Sequence, residues 1–448
     1  MRAVVVGGGL AGCAAALELR ERGSEVVLVR AGPGATAMSW GTLDVAADSP
    51  LRRGGLPLRD PSTGGSLAPA RRLAGVANGN AAHPYATLLR GRSPEAVVKE
   101  AAAALDGWLA PSGLRVLGSL EQTRWLADLR GAVRAADLAF TGAGEGDLAG
   151  ADEVALVELP GLAGFDARPA LRALASELAA LGMPRRPLRL LRLPLPGALA
   201  DLCAAPARLA RELEAAAARD ALRPALEALA AEGRLLLFPP VLGLERVDRM
   251  LAWISDTTGC RCAELLGVPP WPLAGYRLDR ALGAALERAG VEVVAGRAAA
   301  VEVDRGRAIS LRVAEPAAPA ATSGAALAFD ALVLATGRFV GGGLAERDGR
   351  LAEPLLDLPL YDLAGRRVDG LRPRLLARRD YEGEQPLFSA GVRTDARLRP
   401  LGSDGCVRLT NVFAAGDLLG SFDPARERTG LGVSLLSGRR AGFEAAAC

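Results

Sequence analysis

Residues 3–19 impose the strongest constraint on the fold. The apolar run Ala3-Val4-Val5-Val6 passes directly into Gly7-Gly8-Gly9-Leu10-Ala11-Gly12, and then into Cys13-Ala14-Ala15-Ala16-Leu17-Glu18-Leu19. A strand, a GxGxxG turn and a helix in that order make a dinucleotide-binding beginning. Gly7 permits the tight turn, Gly9 lets backbone approach a pyrophosphate, Gly12 lets helix pack on strand, and the helix N-terminus offers amides to the anion. The helix returns to a second apolar run, Glu25-Val26-Val27-Leu28-Val29. An acid at the end of that strand ordinarily binds the adenosine ribose. Arg30 stands there instead, so the nucleotide half of the cofactor is left open.

The chain of 448 residues has room for two or three domains, and half of its residues are hydrophobic. The net charge of +3 gives no electrostatic footprint for nucleic acid. Nearly all basic residues are arginine, with Lys99 the only lysine, so a single arginine is weak evidence of a site. The six cysteines include no CxxC pair, and Cys260, Cys262 and the single histidine, His83, make no zinc or iron–sulfur ligand set. Free thiols are expected, as in a reducing compartment.

Arg2, the apolar run and Leu10-Ala11-Gly12-Cys13 imitate a lipoprotein signal. Cleavage there would delete the first strand, and three glycines interrupt the apolar region, so a signal is not expected. No other window supplies about eighteen uninterrupted apolar residues for a membrane span.

Residues 49–69, rich in Gly, Pro, Arg and Ser, read as a loop. Helix-like runs over 94–109, 168–181 and 202–232 are separated by proline-rich turns, which predicts a mainly helical α+β insertion, or cap, over 81–275. The Arg/Leu alternation of 185–196 reads as an edge strand with a solvated basic face. From Tyr276 the pattern changes. A helix over 277–289 ends at Gly290, a strand begins at 291, a strand pair over 298–303 and 308–313 flanks the turn Asp304-Arg305-Gly306-Arg307, and 315–325 read as a loop. A buried strand then runs through Leu332-Val333-Leu334 into Ala335-Thr336-Gly337. A further apolar strand ends in Ala415-Gly416-Asp417, and Gly430-Leu431-Gly432 opens the last helix.

Three glycine-terminated strands in this order resemble the FAD-dependent oxidoreductases. That resemblance implies an α/β, Rossmann-like flavin-binding domain with a three-layer sheet core, discontinuous over 1–80 and 276–448. It implies that Thr336, Gly337, Gly416 and Asp417 bind cofactor, with Asp417 on the ribityl or phosphate region. Gly430, Leu431 and Gly432 would then give backbone donors to the flavin N1/O2 edge.

A closer resemblance rests on several further stretches. These are Ser39-Trp40-Gly41-Thr42-Leu43-Asp44, Phe238-Pro239-Pro240-Val241-Leu242-Gly243-Leu244, Val268-Pro269-Pro270, Gly341-Gly342-Gly343-Leu344 and Phe422-Asp423-Pro424. The chain is similar from end to end to the family of B subunits of anaerobic glycerol-3-phosphate dehydrogenases. The resemblance implies a flavin subunit, with Gly41 and Thr42 added to the cofactor set. Its partners would be the FAD-containing catalytic subunit of the same complex, together with an iron–sulfur subunit that passes electrons to quinone. The location would be cytoplasmic, peripheral at the inner membrane through a partner. The family implies FMN, whereas the retained GxGxxG suits FAD.

Oxidation of a secondary alcohol needs a base and cations for the phosphate. His83 is the candidate base. Arg338, with Arg393 and Arg428, is a candidate for the small anionic substrate. Two other readings stand beside this one: a stand-alone FAD oxidoreductase or oxidase of another small substrate, and a non-catalytic scaffold that keeps the flavoprotein fold.

Overall fold

The computed structural model describes residues 1–46, 67–267, 273–315, 325–380 and 383–448. The expected loops at 49–69 and 315–325 lie mostly outside these residues, and Val268, Pro269 and Pro270 lie outside them entirely. The chain divides into two compact units. One comprises Met1–Thr36, Asp44–Leu105 and Leu282–Cys448; the other comprises Ala37–Leu43 and Asp106–Ala281. Residues 81–105, expected in the insertion, therefore pack with the first unit.

The first unit is built on a five-stranded parallel sheet. Its order is Glu292–Ala295, β2 (Glu25–Arg30), β1 (Arg2–Val6), Ala331–Leu334, Val412–Ala414. The β1 residues Ala3 to Val6, and every residue of Ala331–Leu334 and Val412–Ala414, are buried. Continuous apolar strands of this kind are what a sheet covered on both faces demands. Helix α1 (Leu10–Glu21) connects β1 to β2 and packs on the last helix, Gly430–Ala445. The two helices approach closely because glycine faces alanine: a Cβ on Gly438 would lie 2.3 Å from Ala11 O, and one on Gly442 2.6 Å from Ala15 O.

A three-stranded antiparallel sheet follows, Arg297–Asp304, Arg307–Ala314 and Ala325–Ala328. Its first hairpin turns at Arg305 (φ 45°) and Gly306 (φ 75°), the positive pair that a two-residue turn of matching twist requires.

The second unit carries its own parallel sheet, ordered Arg261–Glu264, Arg234–Phe238, Glu153–Glu158, Leu188–Arg192. Alternate residues feed opposite faces. Ala155, Val157, Leu236 and Phe238 pack with Leu209, Leu222 and Ile254, whereas Val154, Leu156, Leu235 and Leu237 pack with Leu174 and Leu178. The stretch expected as a mainly helical α+β insertion thus carries its helices on both faces of a parallel sheet. The helix expected over 202–232 is divided into Leu202–Ala204, Pro206–Glu212 and Ala216–Glu227, with Pro206 opening the second piece. Leu188–Arg192 does lie at the sheet edge, its exposed Arg189 and Arg192 paired with Glu153 and Glu158. Cys260 and Cys262 are free and buried, and burial above all pushes the Cys262 thiol up to about 12. Among the described residues, no helix is long and apolar enough to cross a membrane.

Candidate functional site

The register of the first sheet brings three glycine turns to one edge. Val6 is level with Leu334, and Leu334 with Ala414. The next amides extend the ladder, Ala335 N donating to Val6 O at 2.8 Å and Ala415 N to Leu334 O at 2.9 Å. The turns after β1, Leu334 and Ala414 therefore emerge side by side at the carboxyl ends of the strands, where open α/β sheets bind ligands.

Two glycines of the first turn are fixed by backbone. Gly7 has φ +113°, and a Cβ on it would stand 2.1 Å from Ala335 O; a Cβ on Gly12 would stand 1.8 Å from Gly7 O. Gly9 differs, because its added Cβ would meet only Thr36 Oγ1, at 3.2 Å. That hydroxyl accepts from Leu10 N at 2.8 Å. Helix geometry then leaves Ala11 and Gly12 as first-turn amides suited to an anion.

A cleft of about 440 Å³ runs from this turn past Arg30 and Thr36 to Thr336, Asp417 and Ser434. Two of its polar atoms, Thr336 Oγ1 and Asp417 Oδ1, are buried with no hydrogen-bond partner. Leaving such an atom unpaired costs roughly 1–3 kcal/mol, so a pair of them in one cleft marks where a ligand supplies the missing partners. Burial pushes the Asp417 carboxyl above its ordinary range, and the nearby Arg338 charge opposes the shift. Amides for a pyrophosphate, a carboxylate oxygen for a hydroxyl and a cleft between them fit a flavin dinucleotide. At the nucleotide end, the Arg30 side chain lies over Gly8, its Cδ 2.9 Å from where a Cβ would be. Arg30 thus presents a cation at the position where an acid would receive the ribose.

Other expected residues are placed differently. Arg338 is 7% exposed, and its donors are taken by backbone carbonyls. Nε donates to Asp417 O at 3.0 Å, Nη1 to Phe388 O, and Nη2 to Leu419 O at 3.0 Å and Phe422 O at 3.2 Å. The guanidinium carbon also sits 5.0 Å from the Phe422 ring centroid. Arg338 lines the cleft and at the same time ties chain segments together.

His83 is 1% exposed. Its Nδ1 accepts from Tyr85 N at 3.0 Å as the N-cap of Pro84–Leu88, and Nε2 meets Glu427 Oε2 at 3.0 Å. With Nδ1 accepting, Nε2 carries the proton and donates it to the carboxylate. The lone pair a general base would need is engaged in this structure, where His83 caps the helix. Arg428 pairs with Asp44 at 2.5 Å.

Gly430, Leu431 and Gly432 open the last helix but do not line the cleft. Gly432 N donates to Asp44 O at 3.2 Å, so that amide is not a flavin donor. Gly430 comes close to the cleft: a Cβ there would lie 3.9 Å from Asp417 Oδ1. Gly41 and Thr42 belong to the second unit, where Thr42 pairs with Ala139, and neither lines the cleft. Gly337, Gly416, Leu10 and Ala11 do line it. Sequence reasoning missed Thr36 and Ser434. The signal for Thr36 was a lone hydroxyl residue just after the Gly32-Pro33-Gly34 turn that follows β2.

A family model described as an FAD binding domain matches residues 2–183. The B subunit of anaerobic glycerol-3-phosphate dehydrogenase from Yersinia pseudotuberculosis is 30% identical, covering 97% of this chain and 95% of that protein. The probable B subunit of the corresponding dehydrogenase from Halobacterium salinarum is 29% identical over 99% of this chain and 97% of its own length. Among solved structures, 3-ketosteroid delta1-dehydrogenase from Sterolibacterium denitrificans superimposes with a TM-score of 0.42 at 13% identity, covering 99% of each chain. That likeness is too loose to bear on function. The glycine cradle and the domain match agree on a flavin cofactor, FAD in particular.

Proposed function

Because the chain belongs to the family of B subunits of anaerobic glycerol-3-phosphate dehydrogenases, we propose that it is the flavin-binding subunit of a respiratory complex. That complex oxidises sn-glycerol 3-phosphate to dihydroxyacetone phosphate. Electrons leave through an iron–sulfur subunit toward quinone, and the assembly is completed by a catalytic subunit that holds its own FAD. The observation that carries the reading is the pair of unpartnered buried oxygens, Thr336 Oγ1 and Asp417 Oδ1, in the cleft that begins at the glycine turn.

FAD, when bound, supplies two-electron acceptance and onward transfer. The chain's own groups hold and orient it. The Ala11 amide at the cleft would hold the pyrophosphate, with the Gly12 amide behind it, and the positive end of α1 would add to the attraction. Gly9 keeps that approach open. Asp417 would accept from a hydroxyl of the ribityl chain, and Thr336 would bond a neighbouring oxygen. Arg338, by gripping the carbonyls of Asp417, Leu419 and Phe422, keeps Asp417 in position. The second unit takes in most of the expected insertion, and we assign it to substrate or partner contact. Purification of the chain and acid extraction of its flavin test the proposal: a colourless protein that takes up neither FAD nor FMN refutes it.

A second reading is favoured by one observation. The chain's single histidine and Arg338 are both committed to structural contacts. Alcohol oxidation would then take place on the catalytic FAD partner, and this chain would carry electrons. Reduction of an artificial acceptor by glycerol 3-phosphate separates the two: turnover by this chain alone supports the first, and turnover only with the catalytic partner present supports the second.

A further inference from the structure

A second cavity in the first unit, of about 130 Å³, shares no lining residue with the flavin cleft. Its polar wall is formed by Thr87, Arg393, Thr394 and Ser421, and among the described residues no carboxylate lines it. Arg393 follows the short strand Gly391–Val392. Its guanidinium lies 4.3 Å from the Tyr361 ring centroid, and Nη2 reaches Gly365 O at 3.4 Å. Space for it exists because residue 365 is glycine: a Cβ there would be 2.4 Å from Arg393 Nη2. The Nε of Arg393 is buried without a partner.

Ser421 adds a second unsatisfied group. The residue is 1% exposed, and its Oγ has no partner. Its φ of 65° is unusual for a residue with a side chain. This arginine differs from Arg338 and Arg428, whose donors are taken by carbonyls or by Asp44. A partly buried cation with an unpaired N–H, a residue with an unpaired hydroxyl and two flanking threonines line one small space. Among the described residues the contacts of Arg393, an aromatic face and a carbonyl, include no anion. An oxoanion with several acceptor oxygens answers both the charge and the donors, and an arginine fork suits phosphate geometry.

We propose that the Arg393–Ser421 cavity is an oxoanion site that takes a phosphate group, either free inorganic phosphate or the phosphate of a small phosphoester. The proposal goes beyond the dehydrogenase reading and stands without it, since inorganic phosphate alone can report the site. The test is calorimetric titration of the full chain, in buffer free of phosphate and sulfate, with inorganic phosphate, glycerol 3-phosphate and glycerol in turn.

Wild type is expected to bind one equivalent of phosphate. Arg393→Gln weakens that binding about tenfold or more, and Arg393→Lys recovers part of it, because charge-assisted bonds to a forked cation are the strong ones. Ser421→Gly removes the hydroxyl and relieves the positive φ, so it weakens phosphate binding while the melting temperature holds or rises. That variant keeps the test valid if Arg393→Gln folds poorly. Equal affinities for phosphate and glycerol 3-phosphate identify free phosphate as the source. A tighter ester, with glycerol inert, identifies the phosphoester. No saturable binding of either anion, or affinities unchanged in Arg393→Gln and Ser421→Gly, overturns the proposal.

Discussion

Arg338→Leu separates a structural arginine from a catalytic one. The substitution keeps an apolar stem against Phe422 but removes donors to four carbonyls, those of Asp417, Phe388, Leu419 and Phe422. At roughly 1–3 kcal/mol for each buried group left unpaired, the simple sum is large. Losses on breaking a buried charged contact centre on about 3–5 kcal/mol, so we expect about 4 kcal/mol. With an m of about 3 kcal/mol/M in urea, the unfolding midpoint of the first unit falls by about 1.3 M.

The chain provides a way to observe this in one unit. Trp40, Trp108, Trp125, Trp253 and Trp271 all fall within the sequence spans of the second unit. Tryptophan fluorescence therefore follows that unit, while bound-flavin absorbance follows the first, and the two transitions need not coincide in a chain of two units. The flavin transition should move down by about 1.3 M and the tryptophan transition should stay in place. A variant with both midpoints unmoved but turnover abolished would refute the structural assignment and return Arg338 to the chemistry.

Gly12→Ala puts a Cβ 1.8 Å from Gly7 O, backbone that cannot swing aside, so it should destabilise the first unit by about 1–3 kcal/mol or more and release flavin. Gly9→Ala meets only a hydroxyl at 3.2 Å, so it should fold normally and bind flavin about tenfold more weakly; identical behaviour of the two variants would contradict the roles given to these glycines. His83→Asn keeps an N-cap acceptor and should leave turnover of the assembled complex within about twofold, whereas His83→Ala should lower stability by about 1–2 kcal/mol. A hundredfold loss of turnover in His83→Asn at an unchanged melting temperature would restore the base. Burial raises the Asp417 pKa above the unfolded value of about 3.9, so between the two values the native state holds more protons and stability falls as pH rises. The wild-type apoprotein should therefore lose melting temperature relative to Asp417→Asn as pH climbs through that window, and a difference that is flat or of opposite sign counts against the burial of this carboxyl.

The first strand, turn and helix were legible because their signal is local: an apolar run, glycines at fixed spacing and a small-residue helix within 21 residues of the start. The 305–306 hairpin was legible for the same reason. Convergence of the three glycine turns came only from the resemblance, since it depends on Ala331–Leu334 pairing directly with β1, a register between residues over 300 positions apart. The parallel sheet of the second unit escaped notice because its strands run only four to six residues between alanine-rich helices. Such short apolar runs do not distinguish a buried strand from helix by period alone. The contacts that engage His83 and Arg338 were not legible because they are remote: Glu427 lies 344 positions from His83, and the carbonyls gripping Arg338 lie 50 to 84 positions away. A lone histidine and a motif-adjacent arginine carry no sequence mark of such contacts.

The central claim is that the cleft ending at Asp417 and Thr336 holds a flavin. Its most direct test is the visible spectrum and extracted-cofactor mass of the purified chain, taken for wild type and for Asp417→Ala. The wild-type protein should be yellow and release FAD, and the variant should fold but retain little flavin. A wild-type chain that stays colourless after incubation with FAD and FMN, or an Asp417→Ala variant with undiminished flavin, would contradict it.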